Sequence, residues 1–318
     1  MKCSDRIWLA RQAPNIKCQP STFQFFNEKG GYIYYGVYNL ETGNASLNQI
    51  DSDPDLSILG FLPKNSSSNE VIAFGITQTT LQIDGLDTDQ NSISPIFTIK
   101  PSYKYDYAAQ QFVLNRFNTI LVPGSTLLNG KNYLSLLQFK FGSNTRLPPI
   151  PLGQGIIPTG GSPIYPLGAY DPILQDYYIY YTVGGQTAII KYNFIINSYA
   201  ILPLDFVPTK LNGIDQLFFF KGDLFYCRID KGVGVTIALM SLGGEVNYLY
   251  KDTNADKKFS VTIQPFVFDQ PSGTVSILNP VGDTLYLDVF DLTSYEVTSF
   301  TKPNNIPTGT FVISTLYQ

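Results

Sequence analysis

A strand-then-turn pattern recurs six times along the 318-residue chain, at a spacing near fifty residues. The copies are Val37–Asn44, Ile83–Gln90, Gln138–Thr145, Lys191–Ser198, Leu239–Val246 and Val289–Glu296. An apolar residue precedes each turn: Leu40, Leu86, Phe141, Phe194, Leu242 and Leu292, at separations of 46, 55, 53, 48 and 50 residues. Short strands repeating every ~40–50 residues mark propeller blades, small sheets that bury their faces only by stacking on their neighbours. The chain is therefore read as all-β: a six-bladed β-propeller of about 50 residues per blade, a single domain over 1–318. Blade two is out of step. Tyr38, Phe139, Tyr192, Met240 and Phe290 stand two residues before their anchors, but Asp84 does so in blade two, which implies a one-residue shift or a bulge. An all-β sandwich with coincidental spacing is the competing architecture.

Runs rich in β-branched and aromatic residues, bounded by Gly, Pro, Asn and Asp, supply the strands. Among them are Asn69–Thr77 and Thr80–Leu86 in blade two, Asp176–Gly184 and Thr187–Ile195 in blade four, and the long Gln216–Ile229 in blade five. No helical periodicity is sustained. The last run, Thr310–Tyr317, is expected to pair with the N-terminal strand, closing the ring and removing a free sheet edge. One stretch interrupts the rhythm. Leu147–Pro172 is rich in Pro and Gly, nearly uncharged, and reads as a long connection between blades three and four.

Fold does not dictate function, so the chemistry has to come from side chains. The chain has no histidine. That excludes Ser–His–Asp and Cys–His nucleophile systems and any His-ligated metal. Three cysteines are too few for an all-thiolate metal site. Glu occurs only at 28, 41, 70, 245 and 296, and Arg only at 6, 11, 116, 146 and 228. A net charge of −4 with scattered Lys and Arg argues against nucleic acid as a partner. No apolar run is long enough to span a membrane, and no signal peptide is visible. Charged residues are only 14% of the chain, and the sequons at Asn44 and Asn65 would accept glycans; both favour an extracellular over a cytoplasmic setting. Cys3 and Cys18 are spaced to form a disulfide; free thiols are the alternative.

Two constellations remain. Asp51-Ser-Asp53-Pro-Asp55, Asp87-Thr-Asp89 and Asp252-Thr-Asn254-Ala-Asp256 alternate oxygen ligands as a hard-cation loop does. The third lacks the turn Gly and the closing acid of a calcium loop. All three read as solvated turns, with no metal and no cofactor expected. The second constellation is tyrosine. Tyr103, Tyr105 and Tyr107 alternate with charge around Asp106, which puts three rings on one face of an extended strand. Tyr165, Tyr170 and Asp171 lie in the Leu147–Pro172 stretch. Core packing is the alternative for all these rings. Exposed, they would bind a hydroxyl-rich ligand by stacking, with the carboxylates accepting hydrogen bonds.

The leading expectation is a non-catalytic binding protein with a carbohydrate or protein ligand on a propeller face. One alternative is a hydrolase similar to calcium-dependent six-bladed lactonases, which hold a cation with inner-strand Asp, Asn and Glu. The other is a self-associating structural or coat component.

Overall fold

A computed structural model describes residues 22–315 apart from 40–41, 64–69, 78–79, 100–112, 116–118, 130, 141–144, 157–166, 184–185, 205–212, 231–232, 255–265, 270–271 and 306–309. Six four-stranded antiparallel sheets follow one another as propeller blades. Blade one holds β1 (Thr22–Lys29), β2 (Tyr32–Asn39) and β3 (Asn44–Ile50); blade two holds β4 (Ser57–Pro63), β5 (Glu70–Ile76), β6 (Leu81–Asp87) and β7 (Ser92–Ile99). Blade three holds β8 (Val113–Leu114), β9 (Thr119–Leu128), β10 (Lys131–Lys140) and β11 (Thr145–Ile156). Blade four holds β12 (Leu167–Asp171), β13 (Asp176–Val183), β14 (Gln186–Asn193) and β15 (Ser198–Leu204). Blade five holds β16 (Gly213–Phe220), β17 (Asp223–Asp230), β18 (Gly234–Met240) and β19 (Val246–Asp252). Blade six holds β20 (Phe266–Asp269), β21 (Thr274–Val281), β22 (Thr284–Asp291) and β23 (Val297–Pro303).

The ring closes as the sequence implies. The last strand, β24 (Thr310–Thr315), pairs antiparallel with β1, from Phe23 opposite Thr315 to Glu28 opposite Thr310. It supplies the innermost strand of blade one, so the first blade is built from both ends of the chain.

Each blade is sandwiched between two others, so its strands bury both faces and read as near-continuous apolar runs. Phe25 and Tyr38 pack with Leu278, Leu285 and Leu287 between blades one and six. Phe26, Ile33 and Tyr35 pack with Ile58, Phe61 and Ala73 between blades one and two. Phe97 meets Phe139 edge-on between blades two and three, with centroids 5.4 Å apart. In the Tyr-rich run of β13, Tyr177 and Ile179 face blade three, while Tyr178 and Tyr180 face blade five. Tyr178 stacks on Phe219 at 5.2 Å, so these rings are inter-blade core. Cys227 is fully buried between blades five and six, a small apolar residue whose thiol is pushed up by burial.

The repeat rests on one turn, and its frame differs from the apolar anchor. The third and fourth strands are closed by four-residue loops between Asn39 and Asn44, Asp87 and Ser92, Lys140 and Thr145, and Asn193 and Ser198. Asp291 and Glu296 close the same loop in blade six through a backbone bond of 2.9 Å. At the loop start an Asn or Asp oxygen caps backbone N–H groups: Asn39 takes that of Thr42, Asp87 those of Asp89 and Gln90, Asn193 those of Ile195 and Ile196, and Asp291 those of Thr293 and Ser294. The last loop residue is left-handed: Gly43 at φ 72°, Asn91 at 52°, Asn197 at 50° and Tyr295 at 60°. Gly and Asn tolerate that region best, so in blades one, two, four and six the repeat frame is an Asx followed four positions later by a left-handed residue, Gly or Asn in all but blade six. On this frame blade two is anchored at Asp87, and it is also bulged, its β6–β7 register slipping between Ile83 and Asp84.

The Leu147–Pro172 stretch is mostly strand. Residues 147–156 complete β11, and 167–171 are β12, the inner strand of blade four; only 157–166 join them. Pro148, Pro149 and Pro151 are accommodated because β11 is an edge strand whose pairing with β10 is irregular: the register shifts where Pro148 and Pro149 fall, and again just beyond Pro151. Gly168 sits directly under Tyr177, and a Cβ there would collide with the phenol.

Candidate functional site

Two charged strand residues meet at the mouth of the interface between blades four and five. Strand β16 returns as β17 through a two-residue turn, Lys221–Gly222, with φ of 50° and 97°. That turn places Phe220 opposite Asp223, and the register then brings Asp215 opposite Arg228. Leu217, Phe219, Leu224 and Tyr226 face blade four from these strands and pack with Tyr178, Tyr180 and Ile189. Asp215 and Arg228 continue the same row to the end of the sheet where β16 begins.

Arg228 lies between two carboxylates. Its Nη1 donates to Asp215 Oδ1 and Oδ2 at 3.0 and 3.2 Å, and its Nε donates to Asp230 Oδ1 at 2.9 Å. Its Nη2 is 2.8 Å from the same Asp230 oxygen. The Tyr226 hydroxyl donates to Asp215 Oδ1 at 2.6 Å. The Tyr180 ring lies 5.6 Å from the Tyr226 ring and completes the wall. Burial raises the Asp215 carboxyl above the ordinary range, opposed by the Tyr226 hydrogen bond and the Arg228 charge. Burial works against the Arg228 charge too, but Asp230 and Asp215 outweigh it and raise its pKa. Burial and the neighbouring Asp215 hold Tyr226 protonated.

Two carboxylates and one guanidinium leave a net charge of −1. The side chains of Asp215 and Asp230 are 24% and 31% exposed, against 9% for Arg228. The cation is thus largely covered while acceptor oxygens remain open, an arrangement suited to hydroxyl or N–H donors. In sequence Gln216–Ile229 reads as one continuous run, which conceals the pairing of its two ends. The Lys221–Gly222 dipeptide is the signal that splits it and pairs 215 with 228.

The residues singled out from sequence are distributed differently. Tyr103, Tyr105, Asp106, Tyr107, Tyr165, Cys3, Cys18 and Asn65 lie outside the described residues. Asn44 is exposed at the start of β3. Tyr170 is half-buried and meets Phe194 edge-on at 6.3 Å. Asp171 is 2% exposed, and its Oδ1 accepts the N–H groups of Ile173 and Leu174 at 2.8 and 3.2 Å. Both stand at the far end of β12, about 10 and about 13 Å along the strand from Leu167. In the Asp-rich turns, Asp53 caps Asp55 and Asp252 caps Asn254, as Asp87 caps its own loop. Among the described residues no three acidic or sulfur side chains converge as a cation site.

Asp84 is the other unusual carboxyl. At the blade-two bulge it is 1% exposed, lies against Gly75, and has no hydrogen-bond partner among the described residues. Burial pushes its pKa up to about 7.

No protein-family profile matches the chain, and no curated protein does. Solved structures resemble it in fold at low identity. TolB from Acinetobacter baumannii superposes with a TM-score of 0.61 at 13% identity, covering 98% of this chain and 70% of that one. A nidogen/laminin complex gives 0.50 at 14%, covering 93% and 100%. An oligogalacturonate lyase in complex with manganese gives 0.50 at 9%, covering 89% and 75%. What the chain shares with all three is architecture, and by its own strand order it is a six-bladed β-propeller.

Proposed function

We propose that this protein is a non-catalytic binding protein whose ligand site lies at the Asp215–Arg228–Asp230 end of blades four and five, and that the ligand is a carbohydrate. The observation that carries this reading is the pair of part-exposed carboxylates held rigid by one covered arginine. Fixed acceptors of this kind suit vicinal hydroxyls, because binding then orders few protein groups. Tyr165 precedes Leu167 by two residues, and Leu167 opens β12 opposite Tyr180, beside Tyr226. Tyr165, with Tyr103, Tyr105 and Tyr107 around Asp106, is kept in this reading as the source of stacking rings for a sugar. Tyr170 and Asp171, at the other end of β12, serve the fold in this reading.

A polypeptide ligand is the second reading, favoured by the fold likeness to a chain of a nidogen/laminin complex. A Lys or Arg side chain would then occupy the same carboxylates. Glycan and peptide arrays probed with the purified chain separate the two. The Asp215→Asn/Asp230→Asn variant should lose the glycan signal. Arrays without a glycan hit, or a signal that survives in that variant, would refute the carbohydrate site.

A further inference from the structure

We propose that blade four carries a self-association surface, and that its partner is a second copy of this chain. The surface lies at the end of blade four away from Asp215, so it is independent of the ligand site.

It is built from two hairpin tips. Residues 172–175 join β12 to β13, and residues 194–197 join β14 to β15. The tips are tied together: Phe194 N–H donates to Gln175 O at 3.1 Å, and Asn193 Nδ2 donates to Leu174 O at 3.3 Å. At both tips the two N–H groups bound by the capping Asx belong to large aliphatics. Ile173 and Leu174 are 80% and 54% exposed, and Ile195 and Ile196 are 63% and 69% exposed.

The fold does not ask for this. The cap uses backbone groups only, so the side chains at these positions are free to vary. Blade two places Asp89 and Gln90 there, and blade six places Thr293 and Ser294. Only on blade four, among the described loops of this type, are both positions aliphatic. Tyr199 and Ile201, exposed at the start of β15, extend the patch along the strand that ends the sheet.

Area and charge select the occupant. The six side chains expose roughly 600 Å², at the upper limit of what monomers leave bare and near the ~800 Å² per partner of a stable interface. A two-fold contact sets the patch against its own copy, so a patch of one charge would repel itself. Residues 172–175 and 194–201 carry no charge, on a chain whose net charge is −4. The nearest carboxylates are withdrawn: Asp171 caps its turn, and Asp176 is 1% exposed and paired with Lys191 at 2.7 Å.

The test is the mass of the full chain in solution by light scattering across a concentration series. The wild type should approach twice 35.4 kDa as concentration rises. The Ile195→Thr/Ile196→Ser variant copies the blade-six loop and should stay at 35.4 kDa with an unchanged melting temperature. Ile173→Glu should do the same from the other tip. A wild type that stays monomeric at every concentration overturns the proposal, as does a dimer that persists in both variants. Vesicle sedimentation is the last arm: a monomeric wild type that pellets with lipid would assign the patch to a membrane and sink the dimer. Array binding at Asp215 is scored separately and moves with neither variant.

Discussion

The Tyr38 hydroxyl donates a 2.6 Å hydrogen bond to the carbonyl oxygen of Pro303, 265 positions away in sequence. Tyr38 stands one residue before the end of the third strand of blade one, and Pro303 ends the outer strand of blade six. Asn305 reinforces the seam, donating from Nδ2 to Gly43 O at 2.7 Å. Together with β24 on β1, these contacts join the two ends of the chain.

Tyr38→Phe keeps the buried ring and removes only the bond. It should lower stability by about 1 kcal/mol, read as a urea midpoint shift with unchanged slope. Deleting Thr310–Gln318 removes the inner strand of blade one and should abolish cooperative unfolding. A truncated chain with the wild-type melting temperature would mean the ring does not depend on its closing strand.

Gly168 is expected to be intolerant of any side chain. Gly168→Ala should cost about 2 kcal/mol or more, because the Tyr177 phenol occupies the space a Cβ would need. Tyr177→Phe alone should be nearly neutral, since that hydroxyl has no hydrogen-bond partner among the described residues. Combined, the two should recover part of the loss, a coupling that a double-mutant cycle reads directly. Strict additivity would place the strain elsewhere.

Asp84 should make the protein less stable in mild alkali than in mild acid. Its carboxyl rises from its ordinary 3.8 to about 7 in the fold, so the folded state holds the proton more tightly than the unfolded chain does. Stability is then greatest below the unfolded value and declines as pH climbs to 7, by at most about 4 kcal/mol. The chain has no histidine, so few other groups titrate between pH 5 and 8. Urea midpoints at those two pH values should differ in the wild type and converge in Asp84→Asn. A pH slope that is identical in the variant would clear Asp84 of the effect.

Arg228→Met leaves Asp215 and Asp230 facing one another without their cation. The expected loss at pH 7 is about 2–3 kcal/mol, less than for a fully buried pair because both carboxylates are part-exposed. The deficit should shrink in acid as the carboxylates protonate. A loss equal at pH 4 and pH 7 would mean the arginine acts by packing rather than charge.

The period, the strand-rich character and the closing role of the C-terminal run were legible in sequence, because each rests on local rules. An Asx at the start of a loop and a Gly or Asn at its left-handed end are properties of a few adjacent residues. Even the pairing of Asp215 with Arg228 was written in the Lys221–Gly222 turn, since a two-residue hairpin sets register outward from its tip. Other features had no local signature. β12 was hidden because Gly168 looks like a breaker until Tyr177 from the next strand lies over it. The burial of Asp84 depends on a bulge and on the packing of blade one against blade two. Ile195 and Ile196 belong to the same apolar run as the buried Ile189 and Ile190, and only the turn at Asn193 sends one pair inward and the other into solvent. A strand's side chains alternate by sequence, but which face meets a neighbouring blade, and which tip meets water, is decided by residues some fifty positions away.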